Sequence, residues 1–341
     1  MTDLRASPAL GVVVIGRNEG ARLGRCLASV RVAGNVPIVY VDSGSSDGSP
    51  ALAREHGAEV VILERGAGFS MARGRNAGFE RLLTLWPTVE LVQFLDGDCE
   101  LALGWLERAR REMAEQPDAA VVSGRRRERR RQANIYHRLM DMEWDTPVGE
   151  VEACHGDAVM RVAALRRVGL FDERLIAGEE PELCVRLRAA GGRVLRVAAE
   201  MSKHDAAITS FEEWWRRCVR SGHAYAQGVE RHGLGYDPSA RRQLLRPWLW
   251  LLVVPLAVLA ALPLLGAWAF AGLLVYPLHA AKVLLARWRR GDSLPDAALY
   301  AVFNAIGRVP ALLGQAGFWI AHLRGRSSSL IEYKRDARGA P

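Results

Sequence analysis

Cysteine is sparse and dispersed. Its five copies, Cys26, Cys99, Cys154, Cys184 and Cys218, form no CxxC pair, which argues against a zinc cluster or a disulfide framework and fits a reducing compartment. Nucleotide-loop signatures are missing as well. No GxxxxGK[ST] occurs, and the first apolar strand runs into "IGRNEG" where a dinucleotide fold would carry GxGxxG. There is no GxSxG elbow for serine hydrolysis. An aspartyl-phosphate route would need its acid pair on the first strand, and here the pair follows the fourth. The opening "MTDLRASPAL" has no basic segment followed by a long apolar stretch, so no signal peptide is expected. Formal charge is absent from Pro247 to Ala281, and that gap sets up the membrane question below.

What is present is globular in balance. Charged residues make up 25% and hydrophobic residues 50% of 341, enough for a full-sized core and a second module. The net charge of +8 permits nucleic acid, an anionic membrane or phosphorylated substrates as partners. The basic run "RRRERRR" has no interleaved aromatic platform, so no nucleic acid is expected. It reads first as a solvated loop, with anionic headgroups or a phosphorylated acceptor as its functional alternative.

Strand and helix patterns alternate in the first part. "LGVVVIG", "VPIVYVDS", "AEVVILE" and "VELVQFLD" are unbroken apolar strands, separated by segments of helical periodicity. Ser49 is expected to cap the second helix, with Pro50 at its first position. Such alternation predicts a largely parallel sheet covered on both faces, with ligands beyond the carboxyl ends of its strands. Asp42, Asp96 and Asp98 all fall at such ends. In "FLDGDCE" the two acids flank Gly97. A tight turn would use them, and so would Mg²⁺ or Mn²⁺ carrying a diphosphate, because both are hard oxygen-seeking partners. Further on, "GEEPELCVRLRAAGG" predicts a short helix with Glu179 and Glu180 at its N-terminal edge and Pro181 at its first position.

The charge-free stretch exceeds the roughly 20 residues of one membrane span. It suits a helical hairpin breaking near Pro263 and Gly266; a buried soluble hairpin is the alternative. Arg241, Arg242 and Arg246 precede it and Arg287, Arg289 and Arg290 follow, which places both flanks in the cytoplasm. Ser210 and Glu213 have capping-box spacing. Trp214 and Trp215 beside them suit either a membrane-surface helix or a buried pair. The tail from Leu294 is apolar but interrupted by Asn304, Arg308 and Pro310, as an interfacial or re-entrant segment would be.

Five motifs, taken in order, resemble the inverting glycosyltransferases of family 2, which have a GT-A fold. These are "VVVIGRNEG", "VYVDSGSSDGS", "MARGRNAG", "FLDGDCE" and "VGLFDERL" leading to "GEEPELCVRLRAAGGRV", and they cover roughly residues 10–235. The resemblance implies a nucleotide-diphosphate sugar donor and a divalent cation. Gly16, Arg17 and Glu19 would line the base and ribose pocket, Asp42 would meet the nucleobase, and Arg75 the base or diphosphate. Asp96 would lie near ribose or metal, and Asp98 would bind the metal. Glu180 stands where the family places a catalytic aspartate, leaving Glu179 as the alternative base. His204 is a metal or diphosphate ligand or else a structural histidine. Trp144, His155 and Asp157 would contact acceptor or sugar. The Gln-x-x-Arg-Trp motif of processive synthases is absent, favouring transfer of a single sugar to a lipid-linked or membrane-proximal glycan. The expected division is a catalytic domain over 1–235, itself split into a nucleotide-binding half (1–100) and an acceptor half (101–235), a transmembrane hairpin over 236–290 and an interfacial tail over 291–341.

Overall fold

A computed structural model describes residues 9–64, 70–154, 156–234 and 238–325. The unbroken apolar runs become strands Leu10–Gly16 (β1), Ile38–Asp42 (β2), Glu59–Ile62 (β3) and Leu91–Asp96 (β4). Helices Ala21–Ala33 (α1), Ser49–Glu55 (α2) and Met71–Leu85 (α3) separate them. The chain continues through Cys99–Leu101 (β5), Trp105–Glu115 (α4), Ala119–Glu128 (β6), Ile135–Glu143 (α5) and Gly149–Glu150 (β7). Next come Ala158–Arg161 (β8), Val162–Val168 (α6), Glu179–Ala189 (α7) and Arg193–His204 (β9). Helices Phe211–His232 (α8), Pro238–Trp248 (α9), Val254–Leu265 (α10), Val275–Arg289 (α11), Leu294–Ile306 (α12) and Arg308–Leu323 (α13) complete it.

The strands form one mixed sheet in the order β3-β2-β1-β4-β8-β6-β9-β5, with β7 on β9. Its first half is parallel, as the βα alternation dictates; antiparallel β8 joins that half to β6. Period-two alternation splits β1 between two cores, Val12 and Val14 packing on one face and Val13 and Ile15 on the other. On the second face α3 approaches very closely. A Cβ at Gly78 would stand 2.4 Å from a Val13 methyl, so the glycine of "MARGRNAG" is what lets the helix reach the sheet.

Local starts differ from the sequence reading in small ways. α2 is capped at Gly48 (φ 81), with Ser49 already helical and its hydroxyl donating to Asp47 at 2.6 Å. Asp47, and not Ser49, therefore serves as the acceptor there. Pro181 stands third in α7, because Gly178 (φ 80) ends the loop two residues earlier than expected.

The basic run is a loop only at its end, where residues 129–131 form a turn with Arg129 and Arg130 exposed. Residues 125–128 prolong β6, which pairs with β9 down to Glu128 opposite His204. Alternation then buries Arg126 and Glu128 and exposes Arg127. The neighbouring arginines are ion-paired: Arg125 with Asp145 at 2.7 Å, Arg129 with Glu100 at 2.9 Å and Arg130 with Asp205 at 2.8 Å.

The chain divides into two compact units. One holds the sheet and its covering helices; the other comprises Gln132–Met142 and the chain from Ile208 onward. Within the second, the capping box of α8 forms as expected, with Glu213 accepting from Thr209 and Ser210 N–H groups at 2.7 and 3.0 Å. Trp214 is buried, edge-on to Phe303, whereas Trp215 is half-buried. Helices α8 and α13 cross in backbone contact, since a Cβ on Gly222 would stand 2.1 Å from the Ala311 carbonyl oxygen and one on Gly314 2.0 Å from that of Val219.

The charge-free stretch does fold back. Gly266 (φ 54) interrupts the helix after α10, and Trp250 meets both Tyr276 and His279 with ring centroids 5.6 and 4.6 Å apart. A continuous helix would hold residues 250 and 276 about 39 Å apart. Its apolar side chains point outward: Leu264 is 86% and Trp268 84% exposed. Ala240–Arg289 and Leu294–Leu323 are both long and apolar enough to cross a membrane. Arg287 is not part of the flanking charge, because it is buried against Asp292 at 2.6 Å. Arg289 and Arg290 remain exposed.

Candidate active site

Register assembles the site before any side chain is considered. Gly16 pairs with Asp42 on one side of β1, and Ile15 pairs with Asp96 on the other. Three adjacent parallel strands therefore end on one edge. Gly97 donates its N–H to the Ile15 carbonyl at 2.8 Å, and a Cβ there would sit 3.1 Å from that oxygen. The glycine of "DGD" is required by this approach of two backbones.

Asp42 turns its carboxylate into its own loop. It accepts from Tyr40 Oη (3.0 Å) and from the N–H groups of Gly44 (3.0 Å) and Ser45 (2.8 Å). Burial first, and Asp42 beside it, push the Tyr40 phenol well above its usual range, so that it remains a donor. Arg17 is exposed and Gly16 half-buried at the loop mouth, while Glu19 pairs with Arg22 at 2.8 Å. Between them lies Asn18, which the sequence reading passed over. With φ 53, it donates its backbone N–H to the Ser45 hydroxyl (2.9 Å), and its side-chain oxygen accepts from the Ser46 N–H (2.8 Å). It ties the β1 loop to the β2 loop.

Asp96 is half-buried and braced from three sides. Its carboxylate meets Arg75 at 3.0 Å and Arg126 at 3.7 Å, and its N–H donates to Asp157 at 3.1 Å. Asp157 is fully buried at the start of β8. It also accepts from Ser202 (2.8 Å) and pairs with Arg126 (2.9 Å), so the structure gives it a bracing position behind Asp96. Arg75 continues the chain to Glu179 at 2.5 Å. Burial works against both buried guanidiniums, but neighbouring carboxylates outweigh it and raise Arg75 and Arg126 above the ordinary arginine value.

Asp98 is buried beside His204, with Oδ2 to Nε2 at 3.2 Å. The β5–β9 ladder makes this pairing, setting His204 directly opposite Cys99. His204 Nδ1 has no hydrogen-bond partner among the described residues. Trp144 stands edge-on to that ring at 4.8 Å and 5.6 Å from the Arg126 guanidinium, which places it at the site and mostly buried. Cys99 lies among these acids, its thiol raised well above the usual range by burial and then by Asp157.

Glu180 faces a different pocket from Glu179. Its Oε1 accepts from the Cys154 N–H (2.6 Å) and from the thiols of Cys154 (2.9 Å) and Cys184 (3.1 Å). Burial pushes the Cys154 thiol up to about 11, keeping it a donor. His155 lies outside the described residues.

Asp96, Asp98, Asp157 and Glu179 gather at the strand ends with Arg75, Arg126 and His204. Four carboxylates thus meet beside His204, Asp96 half-buried and the other three buried, and His204 Nδ1 is without a hydrogen-bond partner among the described residues. Such a donor set fits a divalent cation.

Comparison with known proteins shows the family and the fold. The family model of glycosyl transferase family 2 matches residues 11–170. The "uncharacterized glycosyltransferase" of Mycobacterium bovis is 32% identical over 202 residues, which are 56% of this chain and 84% of that protein. The chain belongs to glycosyl transferase family 2. A pre-mycofactocin glycosyltransferase of Mycobacterium tuberculosis is 28% identical over 246 residues, covering 65% of this family 2 chain, which in turn spans about half of that relative (47%). Among solved structures, a mannosyltransferase from Pyrobaculum calidifontis, in complex with GDP-Man and Mn²⁺, shares the fold. Its TM-score is 0.54 at 21% identity, over 94% of this chain and 88% of that one.

Proposed function

We propose that this family 2 chain is a metal-dependent inverting glycosyltransferase. It moves one sugar from a nucleotide-diphosphate sugar to a lipid-linked or membrane-proximal glycan at the cytoplasmic face of the inner membrane. The observation that carries this reading is the cluster of Asp96, Asp98, Asp157 and His204 at the strand ends, beside the loops joined by Asn18. The mannosyltransferase of like fold takes GDP-Man and Mn²⁺, which supports the donor class and the ion.

Asp98 and His204 would hold Mg²⁺ or Mn²⁺, with Asp96 serving ion or ribose. The cation supplies charge neutralisation for the departing diphosphate. Gly16, Arg17 and Glu19 would border the base and ribose, with Asp42 holding the second loop in shape. Arg75 keeps Asp96 and Glu179 apart and fixed. Proton removal from the acceptor hydroxyl is assigned to Glu180. A proton on Glu179 would break its buried ion pair with Arg75, whereas Glu180 is held by thiols and a backbone N–H. Trp144 remains the candidate for sugar contact. Inversion follows from a single displacement, with no enzyme nucleophile.

The apolar, exposed hairpin supports membrane anchoring, and the exposed arginines at both of its ends support a cytoplasmic orientation. The deciding measurement uses the purified full chain in detergent with a panel of nucleotide-sugars, Mn²⁺ and a polyprenyl-linked glycan. Acceptor-dependent release of nucleoside diphosphate is expected, lost with chelator and in Asp98→Asn. A polyprenyl phosphate accepted equally well by Glu180→Gln would replace the glycan reading, because an anionic phosphate needs no base. Nucleotide-sugar binding with no turnover on any acceptor would leave a binding module.

A further inference from the structure

The site described above uses Asp98 and His204 but gives no role to the thiol lodged between them. Cys99 follows Asp98 in sequence and faces His204 across the β5–β9 ladder. Its buried Sγ is 3.8 Å from Asp98 Oδ1. With a carboxylate oxygen of Asp98 and a ring nitrogen of His204 it forms a trio whose atoms all lie within 4.8 Å of one another. The same Sγ belongs to a second such trio, with Asp96 and Asp157. Ligands on a divalent ion at about 2.1–2.3 Å stand roughly 3.0–3.3 Å apart when adjacent and about 4.2–4.6 Å when opposite. The 4.8 Å bound on the first trio lies close to the larger of these spacings, so its three side chains are within reach of one ion.

We propose that Cys99 is a ligand of the divalent cation held by Asp98 and His204, making a mixed oxygen, nitrogen and sulfur site that selects softer ions over magnesium. The inference rests on the metal-dependent reading above. Magnesium takes oxygen ligands and keeps its waters, whereas sulfur favours manganese only modestly and cobalt and zinc strongly. When the ion binds, the S–H bond breaks and a sulfur–metal bond forms, and one proton passes to solvent for each ion taken up.

The test uses the full chain in detergent, loaded with Co²⁺, and reads the near-ultraviolet thiolate-to-cobalt absorption. The band is expected in the wild type and in Cys218→Ser, and is lost in Cys99→Ser. In parallel, melting curves with Co²⁺ and Mg²⁺ give the preference between the ions, expected to fall about tenfold or more in Cys99→Ser. Should that variant fail to fold, Cys99→Ala is the second probe, and the wild-type band and ion preference are measured without any substitution. Ion-dependent stabilisation of the wild type with no thiolate band overturns the role of Cys99 and leaves the metal reading intact. So does a band that survives Cys99→Ser but vanishes in Cys184→Ser, since it then belongs to the trio of Cys154, Glu180 and Cys184. No stabilisation by any ion overturns the metal reading itself.

Discussion

Arg126 shows how much one buried side chain sets here. It reaches Asp157 and Asp96 from a strand whose neighbouring arginines are held at the surface by Glu100, Asp145 and Asp205. The two glutamates of α7 are separated by their partners in the same way: Glu179 belongs to the Arg75–Asp96 chain and Glu180 to the thiol pocket. Glu180→Gln keeps shape and hydrogen-bond length, so kcat is expected to fall at least 10²-fold, the lower end for a lost general base, with donor KM little changed. Glu179→Gln leaves Arg75 without its partner, and the loss should appear in donor KM and in melting temperature. Steady-state kinetics of the two variants decide the assignment, and an unaltered kcat in Glu180→Gln removes it as the base. Of these residues, Asp96, Asp98, Glu179 and Glu180 were legible in sequence through the order of the family motifs, since turns and helix starts on their own use such acids structurally. Arg126 was not. In a run of like charges nothing distinguishes the buried one until strand pairing with β9 fixes the alternation.

At the scale of elements, β1 to β4 and α1 to α3 were readable to within about three residues, since unbroken apolar runs and helical periodicity are local signals. The antiparallel entry of β8 and the position of β5 beside β9 were not, because strand order is decided by long-range pairing. Capping signals behaved in both ways: the box of Ser210 and Glu213 forms, while the start of α2 shifts to Gly48. The box gives a pH-dependent expectation. Burial alone would raise the Glu213 pKa, but the Thr209 and Ser210 N–H groups and the Thr209 hydroxyl outweigh it and lower the group below its ordinary value near 4.5. The folded value lies below the unfolded one, so the stabilisation is complete above about pH 4.5 and is lost as pH falls through the folded value. Glu213→Gln is expected to cost about 1 kcal/mol near neutral pH. The gap between mutant and wild type should narrow in acid melts, and an equal gap at both pH values would show that the charge is irrelevant.

For the whole molecule, the proposed anchor makes a solubility prediction. Leu256 and Leu259 are exposed on the hairpin, so replacing both with Asp removes little internal packing. Each Asp costs about 2.5–3.5 kcal/mol at the centre of a spanning helix. The double variant should leave the membrane fraction for the soluble one, while the wild type should resist alkaline carbonate. Release of the wild type by carbonate would reduce the hairpin to a peripheral contact. Length and absence of charge made the hairpin legible, but the crossing of α8 with α13 was hidden, because an individual glycine within each helix carries no such signal. That crossing has a consequence of its own. Gly222 and Gly314 bring two backbones together through contact of close-fitting surfaces, an attraction that does not depend on expelling water and that membrane helices use among lipid tails. The joint between these helices is thus indifferent to its solvent, and it would hold whether its surroundings were aqueous, interfacial or hydrocarbon.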